Sequence, residues 1–377
     1  MPTCRTPQLA GVAAILAVGL VTGLPGPADA SSSRSPSTRV VHPGESIQKA
    51  VDAARPGDTV QILAGTYRES VLVTTSKLTL RGVGAATVIS PPKVPVTGGT
   101  APAGAKGRSI AKAPPGSSGN ACARAGHGLC VMGTAEHPVT EVRIEALTVA
   151  GATKNGINAF GTDRMTVHAV LARDNGQQGI SQEQSVRAKL RGNEARGNGQ
   201  AGIFVANVAD GKVPPVETRG TVIGENRLSD NRFGVVVRRV RGLDVRSNVI
   251  SGNCGGVFVV GDEGVPRVGA LTVRQNVVRA NNKFCPATPR LDVVQGIGIL
   301  LTGAEDTVVT GNRVENNVGK SSMSGGVVLF HSYVGAPNSR ITVTDNRLCG
   351  NGPADLANRD TGTGNSFARN ECRLRAR

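Results

Sequence analysis

The strongest constraint on the fold of this 377-residue chain is a short phrase that recurs along its second half. In each copy two asparagines stand five residues apart, and an apolar residue follows the first by two positions. The copies run from Asn226 to Asn231, Asn248 to Asn253, Asn276 to Asn281, Asn312 to Asn317 and Asn346 to Asn351, with weaker copies from Asn193 to Asn198 and from Asn365 to Asn370. A phrase repeated at this density predicts a chain built from repeated structural units.

A glycine followed by Ile or Val comes after most copies and sets the size of the unit. Counting those upstream of the first copy, and one that is followed by Leu, these glycines are Gly128, Gly156, Gly179, Gly202, Gly234, Gly256, Gly298 and Gly326. Their shortest intervals are 22 and 23 residues, and insertions account for the longer ones. A unit of that length fits three short strands and three turns, with each coil laid on the one before it. Asparagine suits such turns, and asparagines stacked on successive coils can form a hydrogen-bonded ladder.

We therefore predict an all-β fold, a single-stranded right-handed parallel β-helix (a solenoid) of about 22–23 residues per coil with an N-terminal helical cap. A leucine-rich repeat or a propeller is the alternative, but the leucine and Trp-Asp phrases of those repeats are missing. Fifty glycines, no tryptophan and short apolar runs also argue against a helical bundle.

The cap is predicted near the start, where residues 46–54 place Ile47, Ala50, Val51 and Ala54 on one helical face. Residues 42–71, HPGESIQKAVDAARPGDTVQILAGTYRESV, resemble the opening of many exported β-helix proteins of the pectin-lyase-like superfamily. That group includes NosD-like proteins and carbohydrate-binding or sugar-hydrolysing β-helices. The resemblance covers residues 40–90 and the coils of 128–351, and it implies the fold. It leaves the activity open, because the superfamily hosts lyases, hydrolases, epimerases and proteins without known activity.

The chain is predicted to be exported. A positive start, an apolar run from Leu9 to Leu24 and the small-residue pattern of residues 28–30 indicate a secretory signal peptide cut after Ala30. The predicted segments are a signal peptide over 1–30, a disordered linker over 31–40, the cap and first coils over 41–90, a Pro/Gly/Ala-rich loop over 91–127, β-helix repeats over 128–372 and a tail over 373–377.

Six cysteines remain after cleavage, an even number in an oxidising compartment. Fifteen pairings are formally possible. Pairing of neighbours is the simplest, because stacked strands lie about 4.8 Å apart, within disulfide reach. It joins Cys122 to Cys130, Cys254 to Cys285 and Cys349 to Cys372. A metal site is the rival interpretation, but no CxxC or paired histidine spacing supports it, and we predict neither a metal nor a cofactor.

An apolar row is expected on the outside of one sheet. When the coils are aligned on their glycines, the first and third residues after each glycine point inward, as Ile203 and Val205 do, and the second and fourth point outward. The second-position row reads Phe204, Val236, Phe258, Leu300 and Val328. Either a loop, from residues 91–120 or 283–295, covers this row, or the row binds another molecule.

The binding site is predicted beside insertions at residues 207–219, 261–269 and 331–340, which emerge on one edge from alternate coils. The catalytic candidates there are Asp210, Arg238, Asp262 and His331, and the substrate-binding candidates are Arg239, Glu263, Arg267 and Tyr333. Asp210 and Asp262 would form a carboxylate pair about 10 Å apart, as in an inverting glycosidase. His331 or an arginine would instead be the base of a calcium-free lyase. Solvated loop charges without a catalytic role are the alternative.

The net charge predicts the partner. Lys and Arg number 43 against 27 Asp and Glu, a formal charge of +16, which should attract an acidic polysaccharide or an anionic cell-wall polymer. Nucleic acid is not predicted, because the basic residues are dispersed along the sequence and aromatic residues are scarce. No membrane association is predicted after signal cleavage. The sequence leaves the oligomeric state unknown.

The predicted function is a secreted β-helix that binds, or binds and processes, an extracellular and acidic polysaccharide. As an enzyme it would be a polysaccharide lyase or a glycoside hydrolase. The alternative is a non-catalytic cell-surface or adhesion scaffold that binds a wall polymer or a partner protein.

Overall fold

The structure, a computed structural model, describes residues 35–93, 119–134, 136–207, 216–261, 264–289 and 291–372. By its contacts the chain divides into units Met1–Ser35 and Pro36–Arg377, and the fold is that of the second unit. Its strands form three long parallel sheets, which the chain visits in the order A, B and C in each coil. The predicted parallel β-helix is confirmed.

The sheets are defined by their strands. Sheet A contains β1 (Thr38–Val41), β2 (Thr59–Ile62), β5 (Thr79–Arg81), β9 (Arg143–Glu145), β13 (Thr166–His168), β16 (Lys189–Arg191), β19 (Val216–Gly224), β22 (Val240–Arg246), β25 (Thr272–Arg274), β28 (Val308–Thr310), β31 (Thr342–Thr344) and β34 (Ser366–Ala368). Sheet B contains β3 (Gly65–Tyr67), β6 (Thr87–Ile89), β10 (Thr148–Ala150), β14 (Leu171–Arg173), β17 (Glu194–Arg196), β20 (Arg227–Ser229), β23 (Val249–Ser251), β26 (Val277–Arg279), β29 (Arg313–Glu315) and β32 (Arg347–Cys349). Sheet C contains β4 (Val71–Val73), β7 (Leu129–Met132), β11 (Ile157–Phe160), β15 (Ile180–Glu183), β18 (Ala201–Ala206), β21 (Phe233–Arg238), β24 (Gly255–Val260), β27 (Ile297–Thr302), β30 (Gly325–Phe330) and β33 (Leu356–Arg359). A small separate sheet pairs β8 (Val139–Thr140) with β12 (Thr162–Asp163).

The interior is a continuous apolar core between the three sheets. The side chains predicted to point inward do so: Ile203, Val205, Val235 and Val237 are buried and belong to one cluster. The side chains that alternate with them face outward, because successive residues of a strand point to opposite sides. Function therefore depends on the outward rows.

Two asparagine ladders run along the coils, as the recurring phrase predicts. One lies between sheets A and B and contains Asn193, Asn226, Asn248, Asn276, Asn312, Asn346 and Asn370. The other lies between sheets B and C and contains Asn175, Asn198, Asn231, Asn253, Asn281, Asn317 and Asn351. Each amide Nδ2 donates to Oδ1 of the next rung at 2.8–3.1 Å. The ladders satisfy buried polar groups that would otherwise be costly.

The N-terminal helix is also confirmed. Helix α1 (Ile47–Asp52) is capped by Ser46, whose hydroxyl accepts from the N–H of Lys49, and it buries Ile47 and Val51. The predicted linker over 31–40 is too long by three residues, because β1 begins at Thr38 and pairs in parallel with β2.

A second helix, α2 (Ala121–Ala125), corrects the predicted loop over 91–127. Its N-cap is Asn120, whose side chain accepts from the N–H of Ala123. Residues 94–118 of that loop, the signal peptide over 1–30 and the tail over 373–377 lie outside the described residues.

Three disulfides link Cys122 to Cys130, Cys254 to Cys285 and Cys349 to Cys372, which confirms the neighbour pairing. Within the described ranges, no helix has the length and apolarity needed to cross a bilayer.

Candidate functional site on the outer face of sheet C

The apolar row on the outside of sheet C is covered by a loop. Val236, Phe258, Leu300 and Val328 are all at most 9% exposed. They belong to a second apolar cluster that includes Cys285, Val294 and Met323, and Leu291 packs against it. The disulfide from Cys285 to Cys254 attaches this loop to the turn before β24. The insertion at 283–295 is thus the cover, and this part of the row is not a free binding surface.

The other end of the same face is covered by α2. The disulfide between Cys122 and Cys130 joins α2 to β7, and Asn120 donates from Nδ2 to the carbonyl of Ser70 at 2.9 Å. Between the two covers lies a polar stretch that we call the window. It consists of Asn158 and Phe160 on β11, Ser181 and Glu183 on β15, Phe204 on β18 and Arg238 on β21.

Glu183 and Arg238 occupy one outward row of the window. In register, Phe160 stacks on Glu183, Glu183 on Ala206, and Ala206 on Arg238. Two steps of strand spacing separate the backbones of Glu183 and Arg238 by about 10 Å. The residue between them, Ala206, has only a methyl group, so the carboxylate and the guanidinium flank a short side chain.

Burial gives the Glu183 carboxyl unusual acid–base properties. Loss of hydration raises its pKa from 4.5 to about 7, and the positive charge of Arg238 opposes this rise. Both side chains are half-buried. A half-buried carboxyl group that is partly protonated near neutral pH, with a cation in the same outward row, has the properties of an acid–base catalyst.

The floor of the window contains an unsatisfied hydroxyl. Ser181 is fully buried, and its Oγ has no hydrogen-bond partner among the described residues. Buried polar atoms are usually satisfied, so this hydroxyl is an exception, and at 0% exposure it is closed to a ligand in this structure.

A group of rings lies farther along the same face. Phe330, at the end of β30, stacks on His331 with ring centroids 4.1 Å apart, and Tyr333 meets His331 edge-on at 6.2 Å. The Tyr333 hydroxyl donates to Oδ2 of Asp292 at 2.9 Å. Burial and the Asp292 carboxylate raise the pKa of Tyr333 to about 12, so its phenol keeps its proton at neutral pH.

A family profile described as the right handed beta helix region matches residues 117–284 and 216–333, together more than half of the chain. The chain belongs to the right-handed β-helix family.

Solved structures show the same fold for this β-helix protein. It is similar to the mannuronan C-5 epimerase A-module of Azotobacter vinelandii at 18% identity and a TM-score of 0.50, over 85% of this chain and 94% of that one. An alginate lyase from a Paenibacillus species has 14% identity and a TM-score of 0.50, over 87% and 99%. A mutant DFA-IIIase from Arthrobacter chlorophenolicus has 14% identity and a TM-score of 0.52, over 86% and 78%. No curated protein matches the sequence.

The β-helix brings together only some of the predicted site residues. Arg238 lies in the window, and His331 and Tyr333 share the ring cluster, three coils away along sheet C. Arg239 occupies the next turn with a φ of 53°. Arg267 is held in the scaffold, because its guanidinium donates to the carbonyl of Pro337 at 2.8 Å and its backbone N–H donates to Glu305.

The predicted carboxylates stay predictions. Asp210, Asp262 and Glu263 lie outside the described residues, so their pairing across Arg238 is not tested. The insertion at 207–219 is shorter than predicted, because β19 already begins at Val216. In the described ranges no group of three or more His, Cys, Asp or Glu side chains could hold a metal ion.

The sequence analysis did not predict that the rings of Phe330, His331 and Tyr333 lie together, because it considered only the number of aromatic residues in the chain. Residues 330–333 read FHSY, and this local run was the available signal. Glu183 is the other omission. It stands four residues after Gly179, the same offset that places Arg238 after Gly234, so the glycine alignment could have paired them.

Proposed function

We propose that this β-helix protein binds an acidic polysaccharide along the outer face of sheet C and removes a proton from a uronate sugar in the window. The observation that supports this proposal most strongly is that Glu183 and Arg238 lie in the same outward row and that the pKa of Glu183 is raised to about 7. The three disulfides support a location outside the cytoplasm.

The substrate class follows from Arg238 and the net charge. A formal charge of +16 attracts a polyanion, and a guanidinium binds a carboxylate by paired, charge-assisted hydrogen bonds. Two similar structures are named for action on mannuronan and alginate, which are polyuronates. Their low identity lends only general support to the same class of substrate.

The chemistry needs a cation at the carboxylate and a base beside it. Arg238 pairs with the uronate carboxylate, which makes the neighbouring C5–H more acidic, and the Glu183 carboxylate accepts that proton. In elimination the C5–H electron pair becomes the C4–C5 double bond and the C4–O bond breaks. The leaving oxygen then takes the proton back from the Glu183 carboxylic acid. In epimerisation the C4–O bond stays intact, a solvent water on the opposite face donates a proton to C5, and Glu183 later releases the abstracted proton to solvent.

The ring cluster provides a second contact for the same chain. Tyr333 is half-exposed, with Phe330 and His331 against it, and rings of this kind stack on the apolar faces of sugars. Five coils separate the strand of Glu183 from that of Phe330, about 24 Å along the axis at the usual strand spacing. An extended polymer is the kind of ligand that reaches both places.

The test measures turnover on a panel of polyuronates and neutral polysaccharides in deuterated water. Unsaturated products are read by ultraviolet absorbance, and deuterium at C5 is read by NMR. We expect Glu183→Gln to lower the rate by about 10²–10⁴-fold, the usual contribution of a general base. The rate should rise as the pH increases through about 7, because the ionised carboxylate is the base.

Arg238→Gln is the second arm. Without the guanidinium charge the pKa of Glu183 moves upward, so the rise in rate should shift to higher pH while KM increases. Glu194→Gln is the matched control, since Glu194 is an exposed carboxylate on sheet B, outside the window. Hydrolysis without absorbance or exchange at C5 would contradict the proton abstraction. No turnover of any polymer would leave the binding scaffold as the better description.

A further inference from the structure

A basic groove of about 580 Å³ lies on the outer face of sheet A, away from the window. Its lining residues are Lys77, Thr79, Glu141, Arg143, Arg164, Thr166, Arg187, Lys189 and Gly220. The basic residues are dispersed along the sequence, but the fold brings five cations from four successive coils together here.

The coil geometry arranges the lining in two parallel rows. The strand row stacks Thr79 on Arg143, Arg143 on Thr166, and Thr166 on Lys189. Hydroxyl and cation therefore alternate along the axis, and the two cations of this row lie two coils, about 10 Å, apart. The pattern is periodic in the direction in which the coils stack.

The second row is formed by the turn residues just before these strands, Lys77, Glu141, Arg164 and Arg187. All four have left-handed backbone conformations, with φ between 54° and 60°. Backbone hydrogen bonds connect each of these turns to the next coil, as from Lys77 to Thr140 and from Glu141 to Asp163. The turns are therefore held in register, and their long side chains line one side of the groove.

The groove contains more cationic side chains than there are carboxylates close enough to pair with them. Arg164 pairs with Glu141 at 3.0 Å, and Arg187 pairs with Asp163 behind the groove at 2.5 Å. Arg143 has only a 3.7 Å contact to Glu145, which is already bound by Arg81. For the side-chain ammonium groups of Lys77 and Lys189 the described part of the chain provides no hydrogen-bond or ion-pair partner. Unpaired cations at a regular spacing attract a ligand with regularly spaced anionic groups.

We infer that this groove is a second binding site, for a linear polysaccharide that carries an acidic group at regular intervals. In an extended polysaccharide whose successive sugars are turned over relative to each other, only every second acidic group faces the protein. In the strand row a cation likewise occurs at every second coil, because Arg143 and Lys189 alternate with threonine hydroxyls. Among the described residues no aromatic side chain lines the groove, and single-stranded nucleic acid binds by stacking its bases on such side chains. The inference goes beyond the proposed function, since binding here does not need Glu183 or Arg238.

The test compares the affinity of the full-length protein for four immobilised or labelled polymers: a polyuronate, a sulfated glucan, neutral dextran and duplex DNA. The double variant Arg143→Gln/Lys189→Gln removes the cations of the strand row. Both side chains are exposed on the outer face, so the fold should tolerate the change. We expect affinity for the acidic glycans to fall between about 2-fold and 30-fold, the loss expected from two exposed ion pairs, with a shallower salt dependence.

Arg279→Gln/Lys320→Gln is the matched control, because it removes one arginine and one lysine that are exposed outside the groove. An equal loss in this control would show that the affinity is non-specific, and the inference would fall. Normal binding by the groove variant, or equal binding of DNA, would overturn it too. The polyuronate and sulfated arms distinguish a carboxylate from a sulfate ligand. This assay measures affinity without turnover, whereas the catalytic proposal is read by absorbance and by exchange at C5, so the failure of either proposal is separately visible.

Discussion

The middle of an asparagine ladder should be far more sensitive to truncation than its end, and Asn248 tests this. Its Nδ2 donates to the carbonyl of Ile223 at 3.0 Å and to Oδ1 of Asn276 at 2.9 Å. Its Oδ1 accepts from the backbone N–H and from Nδ2 of Asn226, at 3.0 and 2.9 Å. Asn248→Ala removes all four bonds in a site that water does not reach, because Asn248 is 0% exposed.

The expected loss of stability in Asn248→Ala follows from the buried polar groups that lose their hydrogen-bond partners. In the described structure the backbone N–H of Asn226 has Asn248 Oδ1 as its acceptor and would be left buried without a partner. A stranded buried donor costs about 1–3 kcal/mol, and each of the other bonds contributes less, so we expect a total of about 3–6 kcal/mol. Urea unfolding followed by circular dichroism measures this loss of free energy of unfolding.

The last rung provides the control. Asn370 makes the same kind of contacts, with Nδ2 donating to Val343 at 2.8 Å and Oδ1 accepting from Asn346, but it is partly exposed. Water can replace the lost partners there, so Asn370→Ala should cost no more than about 1.5 kcal/mol. Equal losses at Asn248 and Asn370 would refute the reasoning, since the difference depends on burial and not on the number of hydrogen bonds.

Three further predictions concern stability. Gln182 is buried, and neither amide atom has a partner in the described structure, so Gln182→Met should raise the free energy of unfolding by about 1–3 kcal/mol; a lower urea midpoint would contradict this. Replacing both Cys254 and Cys285 by serine opens a link spanning 31 residues and should cost about 3–4 kcal/mol, with faster proteolysis within 283–295; unchanged cleavage would show that the cover is held without it. Hydrogen bonds from the backbone N–H groups of Ser37 and Arg55 lower the pKa of Asp58 from 3.8 to about 2. The stabilisation of the folded state by the ionised Asp58 is therefore present above pH 3.8 and lost as the pH falls towards 2. In Asp58→Asn the free energy of unfolding should vary less with pH over that range, and an unchanged pH dependence would contradict this.

The repeating phrase was enough to predict the coils. Asparagines such as Asn226 and Asn248 share an offset from an inward apolar residue and a following glycine, and this spacing fits few structures other than stacked coils. The helix at Ile47–Asp52 and the pairing of Cys254 with Cys285 were also predictable, since both depend on local spacing or on neighbouring coils. Periodic and local features of this kind can be predicted from the spacing of residues in the sequence.

The position of the covering loop and the surroundings of the outward side chains depended on the tertiary structure. The 283–295 insertion folds over Phe258 and Val328, and no local pattern states where a loop will lie. The raised pKa of Glu183 arises from burial, and Lys189 reaches the same groove as Lys77 only because insertions of different length leave the strands in register. The sequence by itself determined the repeated strand, turn and ladder, because those interactions recur at a fixed spacing. Which outward side chains became a recess, a cover or a groove was decided by packing among residues far apart in the chain, because burial and charge proximity exist only after the coils are stacked.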